Sequence, residues 1–344
     1  MIDLRSDTVT LPTPAMIQAM SRAELGDDVY GEDPTVARLE ERAAAVLGME
    51  AGLFVPSGTM GNLCAAITHA PRGARVITGE QSHLYHSEAG GASALGGLVL
   101  HPIRNTADGG LDEAELGAAL ESPEDPHVAP AGLVALENTQ NRCGGVPLDA
   151  ARVERVAAAA RARNVPIHVD GARLFNAAVA LGVKASTLVA GVDSVQICFS
   201  KGLSAPVGSM LLGSKSFIGR ARRTRKMLGG GMRQAGVLAA ACQVALDTMV
   251  DRLADDHARA RRLADGIEAA AGGRFRVWKP HTNMVVLSAP SPDGSAARLV
   301  SDLRREGVFV GGVDAVRVRA VLHAGIDDSA TERAIAIFQR ILRR

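Results

Sequence analysis

The sequence predicts an α/β protein: a larger domain on a mostly parallel sheet of the seven-stranded type, followed by a smaller C-terminal α/β domain. Two observations carry this. From residue 51 onward, short apolar runs alternate with helical stretches, the pattern of parallel strands joined by crossover helices. The chain has 344 residues, long enough for about two domains.

Residues 1–12 read as extended, with Ser6 and Asp7 among alternating polar positions. Thr13-Pro14 supplies an N-cap and a proline at the first helical position, opening a helix to about Leu25. The polar loop Gly26-Asp-Asp-Val-Tyr-Gly-Glu-Asp33 follows. The next helix starts at Pro34, gathers Val36, Leu39, Ala43, Val46 and Leu47 on one face, and stops at Gly48. Strands are expected at Leu53–Val55, Arg75–Thr78, Leu133–Glu137, up to Asp170, at Ser194–Phe199 and at Val207–Leu212. Helices are expected from Ser57 to about Ala70 and from Asp149 to Ala162, with two further helical turns before Ser194. A basic helix at 220–227 and the loop Gly229-Gly-Gly lead into a long helical region over 232–271. Its stretch from Ala235 to Leu246 is apolar all round and so buried. The smaller domain reads as strands near 274–278, 283–287, 308–310 and 316–321, with helices near 295–305 and from Asp328. This divides the chain into an N-terminal segment (1–25), a large domain (26–248) and a small domain (249–344).

With only 3% aromatic residues in a chain that is 47% hydrophobic, Ala, Val and Leu must fill the core. A formal net charge of +1 argues neither for nor against a charged partner. Cys64, Cys143, Cys198 and Cys242 are widely spaced with no CxxC pair, which fits free thiols in a reducing compartment. No apolar leader opens the chain and no stretch reaches the length of a membrane span, so a soluble cytoplasmic protein is expected.

Chemistry concentrates where strands end. Lys201 emerges just past the apolar Ser194–Phe199 run and is followed by Gly202, the setting for an amine that must lose its proton and attack a carbonyl. Asp170 ends the apolar run Val165-Pro-Ile-His-Val. A lysine to bind an aldehyde and an aspartate to keep a ring nitrogen protonated are together what pyridoxal phosphate requires. Ser57-Gly58-Thr59 sits where a strand turns into a helix, either an ordinary glycine turn or a phosphate cup. His83, after the Arg75–Thr78 strand, is either a satisfied polar residue or a ring stacked on a pyridine and able to take a proton. His127 lies in the loop Glu124-Asp-Pro-His-Val, where a surface role competes with a catalytic one. The basic run from Arg220 to Arg233 carries no aromatics for base stacking, so a solvated helix face or a subunit interface is expected rather than nucleic-acid binding. No His or acidic residues stand at ligand spacing such as HxxxH or DxD, so no metal is expected.

Several segments together resemble the L-threonine aldolases. They are Leu4-Arg-Ser-Asp-Thr-Val-Thr, Gly26-Asp-Asp-Val-Tyr-Gly-Glu-Asp-Pro, Ser57-Gly-Thr-Met-Gly-Asn, Glu88-Ala-Gly-Gly, His168-Val-Asp-Gly-Ala-Arg, Ser200-Lys-Gly-Leu and Arg225-Lys-Met-Leu-Gly-Gly-Gly-Met-Arg-Gln. The resemblance spans nearly the whole chain. It implies the aspartate-aminotransferase-like fold (fold type I of the pyridoxal-phosphate enzymes), a homotetramer with sites shared between subunits, and cleavage of β-hydroxy-α-amino acids to glycine and an aldehyde. By resemblance, Lys201 is the Schiff-base lysine, Asp170 the partner of the pyridine nitrogen, and Gly58 with Thr59 the phosphate cup. Ser6, Arg173 and Arg319 are similar to the substrate-carboxylate site, with Arg317 on the same strand face as Arg319. His83 resembles the ring-stacking histidine and His127 the loop histidine near the substrate hydroxyl; either takes the β-hydroxyl proton. Lys226 and Arg233 resemble residues that reach the phosphate of a neighbouring subunit. Two departures from the family pattern stand beside His83: Ser87 where an aromatic is common, and His86 adding an imidazole. The competing readings are a transaminase, β-lyase or racemase on the same lysine and aspartate, and a nucleic-acid binder using the basic run.

Overall fold

The computed structural model describes residues 1–121 and 125–343. Twelve strands form two sheets. They are β1 (Ile2–Leu4), β2 (Ala51–Val55), β3 (Arg75–Gly79), β4 (Val99–Ile103), β5 (Ala131–Glu137), β6 (Ile167–Gly171), β7 (Ser194–Cys198), β8 (Ser209–Gly213), β9 (Arg276–Val277), β10 (Met284–Ser288), β11 (Val308–Gly312) and β12 (Arg317–Val321). Seven of them make the larger sheet in the order β2-β8-β7-β6-β5-β3-β4. β3, β4, β5, β6 and β7 run parallel, and β8 is antiparallel to both its neighbours, so it alone is reversed. The expected mostly parallel sheet is present, and its central strands are buried throughout because helices cover both faces, although β6 and β7 carry the polar residues His168, Asp170, Ser194 and Gln196.

Register brings chemistry to one edge. Glu137 of β5 pairs with Asp170 of β6, and Asp170 pairs with Gln196 of β7. Three polar side chains therefore stand side by side where the parallel strands end, the edge at which open α/β sheets bind ligands.

The smaller sheet runs β1-β11-β12-β10-β9. β1, at the start of the chain, pairs in parallel with β11. This strand was legible only as extended chain; pairing with a segment some 300 residues on is a tertiary event. Its side chains Ile2 and Leu4 join Leu263, Ile267, Val285, Val318 and Phe338 in a core separate from that under the larger sheet. Ala fills much of the larger core, as the low aromatic content requires.

Several elements depart from the sequence reading, among them the helix Glu113–Leu120, which went unread. The helical region over 232–271 is two helices, Gly236–Thr248 and Leu253–Ala271. The first packs into the larger core and most of the second into the smaller, and no single straight helix does both. The first helix ends at Ser21 rather than near Leu25, because the Glu24 carbonyl accepts from the Thr35 hydroxyl and draws the chain onto the next helix. The basic helix begins at Lys215, and Arg225 within it is buried, paired to Asp28 at 2.7 Å and donating to the Phe54 carbonyl; the run is not a uniformly solvated face. β4 went unread because Val-Leu-His-Pro-Ile carries a proline, which only an edge strand tolerates, and β4 is the edge. Glu124, part of the His127 loop, lies outside the described residues.

Candidate active site

The site is built on the C-terminal edge of β5, β6 and β7. Asp170 is buried; its Oδ1 accepts the Ala172 N–H at 3.0 Å and its Oδ2 accepts from Asn62 Nδ2 at 2.8 Å. The same amide nitrogen donates to Glu88 Oε1 at 2.7 Å, and Glu88 Oε1 lies 2.9 Å from His83 Nδ1. His83 is half-buried at the start of a one-turn helix capped by Ser82. Its backbone N–H donates to Glu137 Oε2 at 2.6 Å. The Glu88 contact, opposed by burial, raises the His83 imidazole above its ordinary value. Burial and the adjacent Asp170 push the Glu137 carboxyl up to about 7, while N–H groups of Asn141 and His83 oppose the shift.

Lys201 stands three residues beyond Cys198, the last strand position of β7. The loop around it is fixed by backbone: the Lys201 carbonyl accepts from the Thr10 hydroxyl and the Ser204 N–H. Its charge acts on both Asp7 and His83.

Gly58 and Thr59 open the helix Gly58–His69. Ser57 caps the Met60 N–H, which leaves the N–H groups of Gly58 and Thr59 without an intrahelical acceptor. A Cβ at Gly58 would stand 2.8 Å from Cys198 Sγ and 3.1 Å from the Gln196 amide, so glycine lets the helix start pack this closely on β7.

A cationic group faces this edge. Arg173 is paired with Asp7, and Arg319 Nη1 donates to Asn141 Oδ1 at 2.5 Å. The Arg319 Nε is buried without a partner among the described residues. Burial, with the like charge of Arg173, pulls Arg319 down to about 10. Arg317, two residues away, is spent on Asp314 and the Arg142 carbonyl. Ser6 caps the turn that follows β1, beside Asp7.

Lys201, Asp170, His83, Gly58, Arg173 and Arg319 thus sit in one connected neighbourhood. His127 has an 89% exposed side chain, and its partner is Asp125 rather than a residue of that cluster. Lys226 and Arg233 are exposed, and Arg233 is paired with Asp27 at 2.9 Å. Ser87 and His86 are exposed as well. Sequence reasoning passed over Glu88 and Asn62, though both stand in the quoted motifs. It also passed over Glu137, whose signal, a carboxylate ending an apolar strand, is the one that singled out Asp170. Acids and histidines that are scattered in sequence do meet: ligand atoms of His83, Glu88 and Asp170 lie within 4.8 Å of one another. All three are engaged in the hydrogen bonds above.

The profile of the family described as Beta-eliminating lyase matches residues 3–290. A probable low-specificity L-threonine aldolase 2 of Arabidopsis thaliana is 46% identical over 99% of this chain and 97% of its own length. The chain belongs to the beta-eliminating lyase family, in its low-specificity L-threonine aldolase branch. A low specificity L-threonine aldolase of Escherichia coli K12 is 42% identical over the full length of both chains. In structure the chain is similar to a threonine aldolase of Leishmania major, with a TM-score of 0.83, 20% identity, and coverage of 99% of this chain and 100% of that one. The fold is the one expected for pyridoxal-phosphate enzymes of fold type I.

Proposed function

We propose that the chain, carrying pyridoxal 5'-phosphate, cleaves L-threonine, L-allo-threonine and related β-hydroxy-α-amino acids to glycine and an aldehyde, acetaldehyde from threonine. The observation that carries the reading is that Asp170 and Lys201 leave the ends of adjacent parallel strands beside the open helix end at Gly58. The residues fit the cofactor: the N–H groups of Gly58 and Thr59, without an intrahelical acceptor at the helix start, suit a phosphate.

Lys201 is the amine that anchors the cofactor aldehyde, and Asp170 faces the ring nitrogen. The bound cofactor supplies an electron sink for the bond that breaks. Arg319, with its unpartnered Nε, and Arg173 with Ser6 hold the substrate carboxylate; a guanidinium fork fixes orientation as well as charge. His83 would stack on the cofactor ring and take the β-hydroxyl proton at Nε2, since its Nδ1 is engaged by Glu88. His127 shares that duty through its exposed loop. Lys226 and Arg233, on the outside of this chain, reach the phosphate of a neighbouring subunit in a homotetramer. We place the protein in the cytoplasm and its domain limits at 25/26 and 248/249; no helix among the described residues is long and apolar enough to cross a membrane.

The test is aldehyde release from cofactor-loaded protein given L-threonine, L-allo-threonine or D-threonine separately. Release from both L-isomers and not the D-isomer supports the reading. Silence in all three with cofactor bound overturns it in favour of a transaminase or β-lyase. Lys201→Ala is expected to lose the visible absorbance of the bound cofactor.

A further inference from the structure

A file of buried hydrogen bonds leads away from Asp170 through Asn62. Asn62, whose Nδ2 serves Asp170, turns its Oδ1 to His168 Nε2 at 3.1 Å. His168 Nδ1 is 2.9 Å from Ser194 Oγ, and Ser194 Oγ is 2.8 Å from His69 Nε2. Asn62, His168 and Ser194 are all buried. His69 ends the helix Gly58–His69, half-buried, its ring stacked on Phe217 at 4.2 Å.

Donor chemistry fixes the direction of this file. Asn62 must present its NH₂ to the two carboxylates of Asp170 and Glu88, so its oxygen faces His168. An amide oxygen only accepts, so His168 carries a proton on Nε2. Burial keeps His168 neutral, holding its imidazole down to about 3, and His69 likewise to about 4. His168 Nδ1 therefore accepts the Ser194 hydroxyl proton, and Ser194 accepts from the Nε2–H of His69. Every donor points toward Asp170. Aligned donors polarise one another, most strongly in a dry interior.

We propose that His69, Ser194, His168 and Asn62 form a polarised relay of positioning residues that orients the Asp170 carboxylate and tunes its strength as an acceptor for the cofactor's ring N–H. The proposal rests on the reading of Asp170 as the ring-nitrogen partner. None of the four touches substrate. Asn62 also ties the relay to Glu88, so one amide sets both the carboxylate that would pair with the ring nitrogen and the Glu88 partner of His83.

The experiment titrates cofactor-stripped protein with pyridoxal phosphate, reading the dissociation constant and the visible band in wild type, Asp170→Ala, Ser194→Ala, His69→Phe and His69→Gln. Phenylalanine keeps the stack on Phe217 and removes the donor; glutamine keeps a donor for Ser194. Ser194→Ala and His69→Phe are expected to weaken binding on the order of tenfold and to shift the band, with His69→Gln within about twofold of wild type. Wild-type binding and spectrum in both Ser194→Ala and His69→Phe overturn the relay. Equal losses in the two His69 variants also overturn it, since packing alone then accounts for the effect. Should Ser194→Ala not fold, the His69 pair decides. Asp170→Ala separates the two readings: wild-type binding there sinks the assignment of Asp170 itself, whereas a large loss there with none in Ser194→Ala or His69→Phe sinks only the relay.

Discussion

Arg173 clasps the Asp7 carboxylate through two nitrogens, Nε at 2.8 Å and Nη2 at 2.5 Å, across 166 residues of sequence. Both side chains are buried, and Asn283 adds a weaker donor at 3.4 Å. The pair joins the turn after β1 to the loop after β6, and so holds Arg173, proposed for the substrate carboxylate, against the start of the chain.

Burial by itself would raise the Asp7 carboxyl, but Arg173, with Lys201 and Arg319 behind it, carries it down to about 2. A depressed carboxylate stabilises the fold above its unfolded value and loses that contribution as pH falls through its folded value. Asp7→Asn is therefore expected to destabilise the protein by about 3 kcal/mol at neutral pH, since it strands a buried guanidinium. The deficit relative to wild type should shrink between about pH 4 and pH 2. Denaturant melts across that range check it; a pH-independent deficit counts against the ion pair as its source.

The Glu88 contact raises the His83 imidazole, so His83 keeps its proton to a pH above the ordinary imidazole range. A protonated ring cannot accept the β-hydroxyl proton. The acid limb of kcat/KM should lie correspondingly high, and Glu88→Gln should move it to lower pH by removing the largest raising cause. His83→Ala is expected to lower turnover by roughly 100-fold or less if His127 shares the duty, and by more if His83 acts alone. A pH profile unchanged in Glu88→Gln removes Glu88 from this role.

Arg319 and Arg317 share a strand face but not an environment. Arg319→Ala should raise KM for threonine by about tenfold to 100-fold, the loss of a charge-assisted bond to the substrate carboxylate. Arg317→Ala, already engaged by Asp314 and the Arg142 carbonyl, should change it by less than about threefold. Steady-state kinetics on the two variants decide; equal effects would place both guanidinium groups on the substrate.

Gly58→Ala puts a methyl group against Cys198 Sγ and the Gln196 amide. Overpacking of this kind costs about 1–3 kcal/mol and here displaces the helix start whose N–H groups are proposed to hold the phosphate. Weaker pyridoxal-phosphate binding is expected, with partial recovery in Gly58→Ala/Cys198→Ala, where the nearest obstructing atom is gone. A titration in which the double variant binds no better than the single one points away from the clash.

Lys201 and Asp170 were legible because each breaks an apolar run at a strand end, and a polar group there has a short menu of uses. Gly58 was legible from a strand-to-helix turn, and the seven-stranded sheet from the alternation of apolar runs with helices. Glu88 and Asn62 were in view as motif letters without a role, because a hydrogen bond between residues 26 positions apart leaves no periodic trace. Arg319 was named over Arg317 by resemblance; their different partners were closed to sequence, since residues two apart on a strand share a face and differ only in what lies opposite.

The sequence by itself determined the two-sheet α/β architecture, the strand-end lysine and aspartate, and the glycine at the helix start. These follow from local propensity and from which residues interrupt burial. Tertiary structure alone decided that β1 joins the C-terminal sheet, that Arg173 is locked by Asp7, that Arg225 of the basic run is buried on Asp28, and that a file of donors stands behind Asp170. The physical reason is common to all four. Each is a pairing of polar groups, backbone or side chain, distant in the chain, and its strength comes from a partner and a dry surrounding that only the folded interior supplies.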